Sequence, residues 1–423
     1  ENVKINLAEN NAATVNYWKG YLMKGLPVYF VENKKYFSKS KNVYGSSHEN
    51  ARFFTFNMAA LKLAALLEFG ADIIHCHDWH TGLIPYILKN DPLYAESDLF
   101  KKIKVVFTIH NLAFQFGGNW WEAPMEKRDN GKTKLPAIDN PDFEYINFVK
   151  RAIIYSDAIN TVSEQYREEI MTKSFGQGLE SLLYENKHKL FGIINGIDYK
   201  IYNPKLDPGL LKNYDCKNWE LKKMNKEHLQ KLINLPIEPN TPLIGLTSRI
   251  TFQKGFELIL QLLGYLLKKE IQFIIMGDGN KQYINELKKF CKKYPKKIIW
   301  LPFDEKIETL IYAGGDIFLL PSHHEPCGIN QLIAMRYGCI PVVRKVGGLH
   351  DTVKNFNPKT NKGTGFVFEN FDVVSLHGAI VRAVENYYHK DIWANLITRA
   401  MRESNSWKIP AQKYENLFKK ILK

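Results

Sequence analysis

The chain has 423 residues, 45% of them hydrophobic, and a formal net charge of +14. This length is too great for one ordinary core and predicts two or three domains, each with enough apolar residues to fold. No apolar run approaches the roughly 20 residues of a membrane span, and the positive charge is mostly lysine spread over predicted helix faces rather than arginine interleaved with aromatics. We therefore expect neither a membrane nor a nucleic-acid partner.

Cysteine usage and the first residues bear on the compartment. The start of the chain has neither the basic-then-apolar pattern of a secretory signal nor an initiator methionine, so we expect a protein that is not secreted and a sequence trimmed or incomplete at its N-terminus. The five cysteines are scattered without a C-x-x-C pair, which indicates reduced thiols, a cytosolic-type compartment and no structural zinc: Cys76, Cys216, Cys291, Cys327 and Cys339.

Strand-like apolar runs alternate with amphipathic runs along the chain, which is the pattern of βαβ units and parallel sheets. We assign residues 1–190 to a first domain of this kind. Its predicted strands are Val28–Val31, Asp72–Cys76, Lys104–Ile109 and Ala158–Val162. Its predicted helices are Phe56–Phe69 and Tyr145–Tyr155.

Polar side chains follow two strands of this first domain. Histidines at 75, 77 and 80 suggest a metal site, but the third lies past the turn and no carboxylate or cysteine completes a tetrahedral set, so we expect no metal. Asp78 beside Trp79 instead predicts sugar binding, with a carboxylate for hydroxyls and an aromatic for the ring face. His110 ends the next strand along the chain and is predicted to hydrogen-bond a bound sugar. The adjacent tryptophans Trp120 and Trp121 follow in a polar loop and suggest an exposed platform for glucan.

The second half predicts a complete doubly wound domain over residues 191–409. Residues 203–240 are polar and lysine-rich and are interpreted as a decorated connection, and Ala411–Leu422 is predicted as a final helix. The predicted strands are Phe191–Ile194, Leu243–Thr247, Gln272–Met276, Ile298–Leu301, Ile317–Leu320, Pro341–Val343 and Gly365–Phe368. The predicted helices are Gly255–Lys268, Lys281–Tyr294, Lys306–Ala313, Ile329–Tyr337, Val373–Tyr387 and Ile392–Glu403.

Two strand-to-helix turns of the second half carry cations or glycines. Arg249 and Lys254 follow a strand and precede a helix, where two cations and helix amides suit a diphosphate and the charge it gains on leaving. The alternative is a solvated basic turn. The run Met276–Asn280 is glycine-rich but matches neither the dinucleotide fingerprint nor a P-loop, so a plain tight turn is the better interpretation. Asn195, in an Asn-Gly turn signal, is a candidate to face the ligand.

The run 321–328, PSHHEPCG, is the most informative motif in the chain. It follows an apolar strand and precedes a helix, so Glu325 and a row of backbone amides lie at the carboxyl end of the strands, where ligands bind in open α/β sheets. Amides at a helix start favour anions or sugar hydroxyls. Together with the two cations, this carboxylate indicates a sugar transferase.

These motifs together resemble the glycogen synthase/starch synthase family of the bacterial and plastidial type. The matching runs follow the family's order and spacing along nearly the whole chain: YG at 44, HCHDWHTG at 75, FTIHNLAFQ at 107, NTVSEQY at 160, INGIDYKIYNP at 194, SRITFQKG at 248, IYAGGDIFLLPSHHEPCG at 311, VGGLHDTV at 346 and GTGFVF at 363.

The resemblance implies two Rossmann-like domains facing across a cleft (a GT-B-type α/β fold), with a C-terminal helix, residues 410–423, returning to the first. It implies retaining transfer of glucose from a nucleotide-glucose, ADP-glucose rather than UDP-glucose, to the non-reducing end of an α-1,4-glucan in a cytoplasmic or plastid-like compartment, with no cofactor or metal. Glu325 would stabilise the oxocarbenium-like state, Arg249 and Lys254 would hold the diphosphate, and His110 would bind the transferred glucose. The remaining implied contacts are Phe303 on the base, amides of Cys327 and Gly328 on sugar hydroxyls, and Tyr44, Asp78, Asn111 and Asn195 on the sugar side of the cleft.

Two departures from related patterns matter. The family's Lys-x-Gly-Gly-Leu loop near the start is missing, and the only match, Lys345–Leu349, belongs to the second domain, so the first domain is expected to be truncated at its N-terminus and the activity of this chain alone is open. Many retaining transferases of this fold carry a second acid eight residues after the glutamate. Here that residue is Ile333, as is typical of glycogen and starch synthases.

A single acid beside two cations predicts attack from the face where the diphosphate departs, because two-carboxylate glycosidase chemistry needs a pair of acids. Two other functions stay open at this point. One is a catalytically impaired glucan-binding fragment or remnant of such an enzyme. The other is a related sucrose- or trehalose-type transferase with a small acceptor.

Overall fold

The computed structural model describes residues 2–8, 11–23, 25–38, 44–45 and 48–423, so Glu1, at which the predicted first domain begins, lies outside the described residues. The strands are β1 Val3–Ala8, β2 Asn11–Leu22, β3 Leu26–Glu32, β4 Ile73–His77, β5 Lys104–Ile109, β6 Ala158–Thr161, β7 Leu190–Gly192, β8 Leu243–Thr247, β9 Gln272–Met276, β10 Ile298–Leu301, β11 Ile317–Leu320, β12 Ile340–Arg344 and β13 Phe366–Phe368.

The α-helices are α1 Glu49–Leu66, α2 Ile84–Asn90, α3 Pro92–Ala95, α4 Phe148–Tyr155, α5 Glu164–Glu169, α6 Glu180–Glu185, α7 Lys222–Leu232, α8 Phe256–Leu266, α9 Lys281–Lys293, α10 Glu305–Gly314, α11 Asn330–Arg336, α12 Gly347–Thr352, α13 Val373–Tyr388, α14 Lys390–Arg402 and α15 Lys408–Ile421. Single turns of 3₁₀-helix occur at Trp79–Thr81, Met125–Lys127, Pro141–Tyr145, Lys187–Lys189, Trp219–Leu221 and Phe252–Lys254, and a π-helical turn at Lys34–Ser38.

The chain forms two compact units, which confirms the predicted two-domain α/β class. Unit 1 comprises residues 1–162, 167–192 and 414–423, and unit 2 comprises residues 163–166 and 193–413. Among the described residues, no helix is both long and apolar enough to cross a membrane. All five cysteines are free.

Unit 2 has a six-stranded parallel sheet in the order β10-β9-β8-β11-β12-β13. Every residue of β8, β9 and β11 is buried, as expected for parallel strands covered by helices on both faces. Successive strands are added towards one edge of the sheet from β8 to β10 and towards the other edge from β11 to β13. The order therefore reverses between the neighbours β8 and β11, although all strands stay parallel. Ligand sites in open α/β sheets form at the carboxyl ends of strands at such a reversal.

Unit 1 has a four-stranded parallel sheet in the order β4-β5-β6-β7 and a three-stranded antiparallel sheet, β1-β2-β3. Apolar β5 lies in the interior, where five of its six residues are buried. The side chain of Tyr414 in α15 contacts this unit, because its hydroxyl accepts a hydrogen bond from Asn160 Nδ2 at 2.8 Å and its ring lies 5.6 Å from that of His75.

One expectation about the organisation of the chain was wrong. The strand predicted at Phe191–Ile194 was assigned to the second sheet, but Leu190–Gly192 pairs with β6 in unit 1. Residues 203–240, predicted as a decorated connection, lie between β7 and β8, which belong to different sheets, and they include the packed helix α7. Its Lys222 is buried because Nζ donates to the carbonyls of Tyr312 and Ala313 at the C-terminus of α10, at 3.0 and 2.6 Å. A polar, lysine-rich segment can therefore contain a buried ammonium group.

Candidate active site

The Glu325 loop joins β11 to α11 and is fixed from behind by α12. The amide of Gly348 donates to the Glu325 carbonyl at 3.1 Å. A Cβ on Gly347 would lie 2.1 Å from that same oxygen, and a Cβ on Gly348 would lie 2.0 Å from the Cys327 carbonyl. The glycine pair in the run 345–349 therefore lets α12 approach the Glu325 loop closely.

The carboxylate of Glu325 is held by two donors on one oxygen. Oε2 accepts from Lys254 Nζ at 2.5 Å and from the hydroxyl of Ser322 at 2.9 Å. The side chains of Glu325 and Lys254 are only 9% and 17% exposed. Because both bonds end on Oε2, the carboxylate has a fixed orientation in which Oε1 is not engaged by either donor.

The loop after β8 brings Lys254 to this carboxylate. Gly255 ends the turn Phe252–Lys254 at φ +78°, and a Cβ there would lie 2.1 Å from the Pro321 carbonyl. Backbone contacts join the two loops, since the amide of His323 donates to Gln253 O at 2.8 Å. The β8 and β11 loops therefore form one structure at the reversal of the sheet.

The glycine-rich turn after β9 supports the exposed Arg249. The amide of Ile250 donates to Asp278 O, and the amide of Asn280 donates to Ile250 O, both at 2.8 Å. A Cβ on Gly277 would lie 1.9 Å from the carbonyl of Ser248. The predicted tight turn thus packs against the segment that carries Arg249. Only a glycine at position 277 allows the two backbones to approach this closely.

The exposed ring of Phe303 lies beyond the end of β10. Phe303 is 57% exposed, and its backbone amide donates to Asp278 Oδ2 at 3.2 Å. A large apolar ring at the surface of unit 2, tied to the glycine-rich turn, is suited to stacking on a flat ligand group.

Three further predicted residues cluster around the Glu325 loop. Burial raises the pKa of the Cys327 thiol to about 12, although a backbone hydrogen bond with Asn195 acts in the opposite direction. Gly328 has φ +70° and follows directly. Eight residues after Glu325, the side chain of Ile333 is buried in α11, so this position supplies no second acid.

His324, next to Glu325, is held neutral by its surroundings. Burial first, and then the neighbouring His323, lower its pKa to about 4. Its carbonyl accepts from Gln253 Nε2 at 3.3 Å. At neutral pH the cationic character of the site therefore comes from Lys254 and Arg249.

The pH dependence of folding tests this assignment of His324. Its folded pKa lies below the ordinary value of 6.5, so the unfolded chain binds the proton more readily and stability is lost as pH falls from about 6.5 towards 4. We expect the urea midpoint to decline over this range and the decline to become shallower in His324→Gln. The exposed His188→Gln variant is the control, and an unchanged slope in His324→Gln would contradict the assignment.

In unit 1, Asp78 connects the ends of β4 and β5. Its amide donates to Thr108 O at 2.9 Å, and its Oδ1 accepts from the amide of His110 at 2.8 Å. Asp78 has φ +55°, an unusual value for a residue other than glycine that is often found at functional sites. The predicted sugar-binding carboxylate therefore also positions the backbone of His110.

His110 is paired with a second histidine that the sequence did not single out for a role at the sugar. His77 Nδ1 and His110 Nε2 are 3.0 Å apart, so they share one N–H. Burial, followed by His110, lowers the pKa of His77, and burial followed by His77 lowers that of His75 to about 3. Among the residues that the structure describes, no group of three or more His, Cys, Asp or Glu side chains is arranged to hold a metal ion.

The remaining predicted residues of unit 1 are placed less tightly. Tyr44 is largely exposed, with its ring 5.6 Å from that of His80. Asn111 Oδ1 accepts from the amide of Ala113 at 3.1 Å and so shapes the loop after β5. Ser322 and His77 are the contacts that sequence reasoning missed. Ser322 lies three residues before Glu325 in the same motif, which is the signal that could have identified it.

Comparisons with known proteins agree with this architecture. Residues 2–185 match the family described as "Starch synthase catalytic domain", and residues 230–400 match "Glycosyl transferases group 1". The chain is 41% identical over 408 residues to a glycogen synthase of Caldicellulosiruptor bescii, covering 95% of this chain and 83% of that protein. It is also 41% identical over 400 residues to a glycogen synthase of Clostridium perfringens, covering 94% and 82%.

Among solved structures, the catalytic domain of starch synthase IV from Arabidopsis thaliana, bound to ADP and acarbose, is similar with a TM-score of 0.88 and 31% identity. The match covers 100% of this chain and 87% of that one. Sucrose-phosphate synthase from Thermosynechococcus elongatus is similar in fold alone, with a TM-score of 0.58 and 16% identity over 88% and 78% of the two chains.

Proposed function

The chain belongs to the glycogen synthase and starch synthase family of hexosyltransferases, and we propose that it transfers glucose, with retention, from ADP-glucose to the non-reducing end of an α-1,4-glucan. The observation that carries this proposal is the contact of Glu325 with Lys254 at the reversal of the unit 2 sheet. An acid and a cation in contact there suit a sugar whose anionic leaving group departs beside it. We further propose a cytoplasmic or plastid-like compartment, which is what the resemblance to the bacterial and plastidial enzymes implies.

The donor is proposed to bind to unit 2. Lys254 and Arg249 neutralise the diphosphate and the charge that it gains as it leaves, and no metal is required for this role. Phe303 stacks on the base. The amides of Cys327 and Gly328 hydrogen-bond hydroxyls of the transferred glucose, since they lie in the turn that leads into α11.

The sugar contacts proposed for unit 1 centre on His110, which hydrogen-bonds the transferred glucose. If His77 donates the shared N–H to Nε2, the ring of His110 carries its own proton on Nδ1 and can donate it to a sugar hydroxyl. Tyr44, Asp78 and Asn111 are proposed to line the sugar side of this unit. Asn195 of unit 2 is proposed to contribute in the same way from beside Cys327.

The reaction is proposed to occur on one face of the donor sugar. The 4-hydroxyl oxygen of the acceptor forms the new bond to C1 as the bond from C1 to the diphosphate oxygen breaks. The hydroxyl proton passes to an oxygen of the leaving diphosphate. Glu325 stabilises the positive charge that develops on the sugar ring, and no second carboxylate takes part.

Purified protein incubated with ADP-glucose and maltotriose tests the proposal. We expect ADP and maltotetraose in equal amounts, with preservation of the α-configuration, and a higher kcat/KM for ADP-glucose than for UDP-glucose. Release of glucose without elongation would contradict it. The alternative of an impaired glucan-binding fragment is not favoured, because the matching glycogen synthases align over 94–95% of the chain. The alternative of a transferase with a small acceptor is supported only by a similarity of fold to sucrose-phosphate synthase.

Ser322 is proposed to position Glu325, because its buried hydroxyl donates to Oε2 at 2.9 Å. Replacing Ser322 with Ala removes a hydrogen bond to a charged group, worth about 1.5–3 kcal/mol, so we expect kcat to fall about 10- to 100-fold. The KM for ADP-glucose should change little, and Ser322→Thr should restore part of the rate. Equal losses in the Ala and Thr variants would contradict a positioning role.

A further inference from the structure

The turn between β6 and α5 contacts the loop that carries Glu325. The four residues 163–166 belong to unit 2, whereas the residues on either side of them in sequence belong to unit 1. Ser163 in this turn is fully buried, and its hydroxyl donates to the carbonyl of Pro326 at 2.6 Å. No residue proposed for the reaction lies in this turn. The contact nevertheless ends on the residue directly after Glu325.

The surroundings of Ser163 fix the direction of its hydroxyl proton. Ser163 directly precedes α5, and its Oγ accepts from the amide of Tyr166 at 3.0 Å, as serines at helix N-termini commonly do. Because that amide occupies one side of the oxygen, the hydroxyl proton is directed to Pro326 O. The amide of Gln165 donates to Oδ2 of Asp351 in α12 at 3.0 Å. The first turn of α5 is therefore held both by α12 and by the loop after β11.

The carbonyl of Pro326 belongs to the same peptide group as the amide N–H of Cys327. A peptide group is planar and this one is trans, so its C=O and N–H point in opposite directions. Fixing the carbonyl on Ser163 therefore also fixes the direction of the Cys327 N–H. A hydrogen bond accepted by the carbonyl polarises its peptide group as well, which makes the N–H a stronger donor.

A second donor reaches the Pro326 carbonyl, but it is shared. The amide of Gly348 lies 3.1 Å from the carbonyl of Pro326 and 3.1 Å from that of Glu325. An N–H divided between two acceptors forms weaker bonds than a hydroxyl at 2.6 Å forms with one. Ser163 is therefore the main support for the orientation of this peptide group.

The N–H of Cys327 lies in a buried residue and is available to a ligand. Cys327 is only 6% exposed, and within residues 48–423 no backbone carbonyl accepts a hydrogen bond from its amide. Buried amides without an acceptor are rare in native structures. The proposed function supplies an acceptor, since this amide is proposed to bond a hydroxyl of the transferred glucose.

We propose that Ser163 is a positioning residue for glucose transfer, which orients the Cys327 N–H towards a hydroxyl of the donor glucose by holding the Pro326 carbonyl. The inference rests on the proposed function, which assigns that hydroxyl to the Cys327 amide. Its consequence is selective. Loss of the Ser163 hydroxyl weakens binding of the sugar but not of the nucleotide, because the cations and the aromatic ring proposed for the nucleotide lie on the loops after β8 and β10.

Calorimetric titration of the purified protein with ADP-glucose and, separately, with ADP tests this inference, because only the first ligand carries the sugar. Ser163→Ala is expected to raise the dissociation constant for ADP-glucose about three- to tenfold, the effect of one neutral hydrogen bond, and to leave that for ADP unchanged. Ser163→Thr keeps the hydroxyl and should restore most of the affinity for ADP-glucose.

Donor analogues that each lack one hydroxyl of the glucose provide a second measurement. The analogue without the hydroxyl that the Cys327 amide bonds should bind to wild type and to Ser163→Ala with equal affinity, because the interaction that Ser163 supports is already missing. The other analogues should show the same loss as ADP-glucose. A merely structural effect of the substitution would weaken all analogues alike.

Asp91→Ala is the matched control for the loss of a helix cap. Asp91 accepts from the amide of Leu93 at 3.0 Å at the start of α3 in unit 1, and its replacement should leave both dissociation constants unchanged. Melting temperatures check that the variants fold. If Ser163→Ala does not fold, Ser163→Cys, which has nearly the same shape and a weaker donor, is expected to show the same selective loss.

An unchanged affinity of Ser163→Ala for ADP-glucose, or an equal loss of affinity for ADP, would overturn the positioning role. So would a Ser163→Thr protein that melts like the wild type but binds ADP-glucose no better than Ser163→Ala. Transfer of glucose to maltotriose by the wild type is measured separately. A selective loss of ADP-glucose binding without any transfer by the wild type would refute the proposed function and keep the role of Ser163 at the sugar.

Discussion

Glu325→Ala is expected to lower the turnover of glucose transfer by about 10²-fold or more, with the KM for ADP-glucose changed far less. The carboxylate is nearly buried and is oriented by Ser322 and Lys254, so its charge is available at one place without reorganisation during the reaction. Alanine removes the charge that is proposed to stabilise the positive charge developing on the sugar ring. Single-turnover rates with saturating ADP-glucose and maltotriose measure this loss directly.

The control must separate catalysis from folding. Removing Glu325 leaves Lys254 without its partner, and breaking a buried pair destabilises a protein by about 3–5 kcal/mol when the remaining charge cannot reach water. Lys254 keeps some exposure, so we expect a smaller effect, to be checked by thermal unfolding. Glu286→Gln, in an exposed pair with Lys289 on α9, should behave like the wild type. A folded Glu325→Ala protein with a near-normal rate would reject the catalytic role.

The sheet strands were the part of the fold that could be predicted best. The predicted bounds match those observed for five strands: Lys104–Ile109, Leu243–Thr247, Gln272–Met276, Ile298–Leu301 and Ile317–Leu320. Parallel strands covered on both faces need short, nearly continuous apolar runs, and this requirement is visible without an alignment.

Elements whose burial does not follow from their amino-acid composition could not be predicted from the sequence. In α7, Lys222 and Lys226 are buried because their ammonium groups meet carbonyls and Asp316, partners that only the tertiary structure supplies. The strands β1 and β2 were not predicted, since β2 keeps several exposed residues along its length. The three residues Leu190–Gly192 join the unit 1 sheet because they pair with β6. A run this short contains no pattern that would identify the strand it pairs with.

For the candidate site, residue types and strand ends were enough to bring Glu325, Lys254 and Arg249 to neighbouring loops. The sequence could not show which oxygen of the carboxylate is held, because that depends on the rotamers of Ser322 and Lys254. The pairing of His77 with His110 was also hidden, since it joins side chains 33 residues apart at the ends of two adjacent strands. Proposed roles therefore follow from position, and proposed orientations follow only from the structure.

Lys254→Ala is expected to reduce kcat by about 10²-fold or more, because Lys254 has two proposed tasks. Its ammonium compensates the charge of the departing diphosphate, and it also holds Glu325 Oε2 at 2.5 Å. Without it, the carboxylate keeps only the bond from Ser322 and is free to turn. The rate is measured with ADP-glucose and maltotriose at saturation, beside Lys289→Ala as an exposed lysine control.

A double-mutant cycle distinguishes the two tasks. If Lys254 acts partly by orienting Glu325, the loss in the double alanine variant should approach that of the more damaging single variant, because groups that act as a unit are strongly non-additive. If Lys254 serves only the diphosphate, the two losses should multiply. The short, nearly buried contact between the side chains favours the first result, since residues in direct contact rarely contribute independently. A multiplicative loss would mean that the contact holds the resting site together but contributes nothing at the transition state.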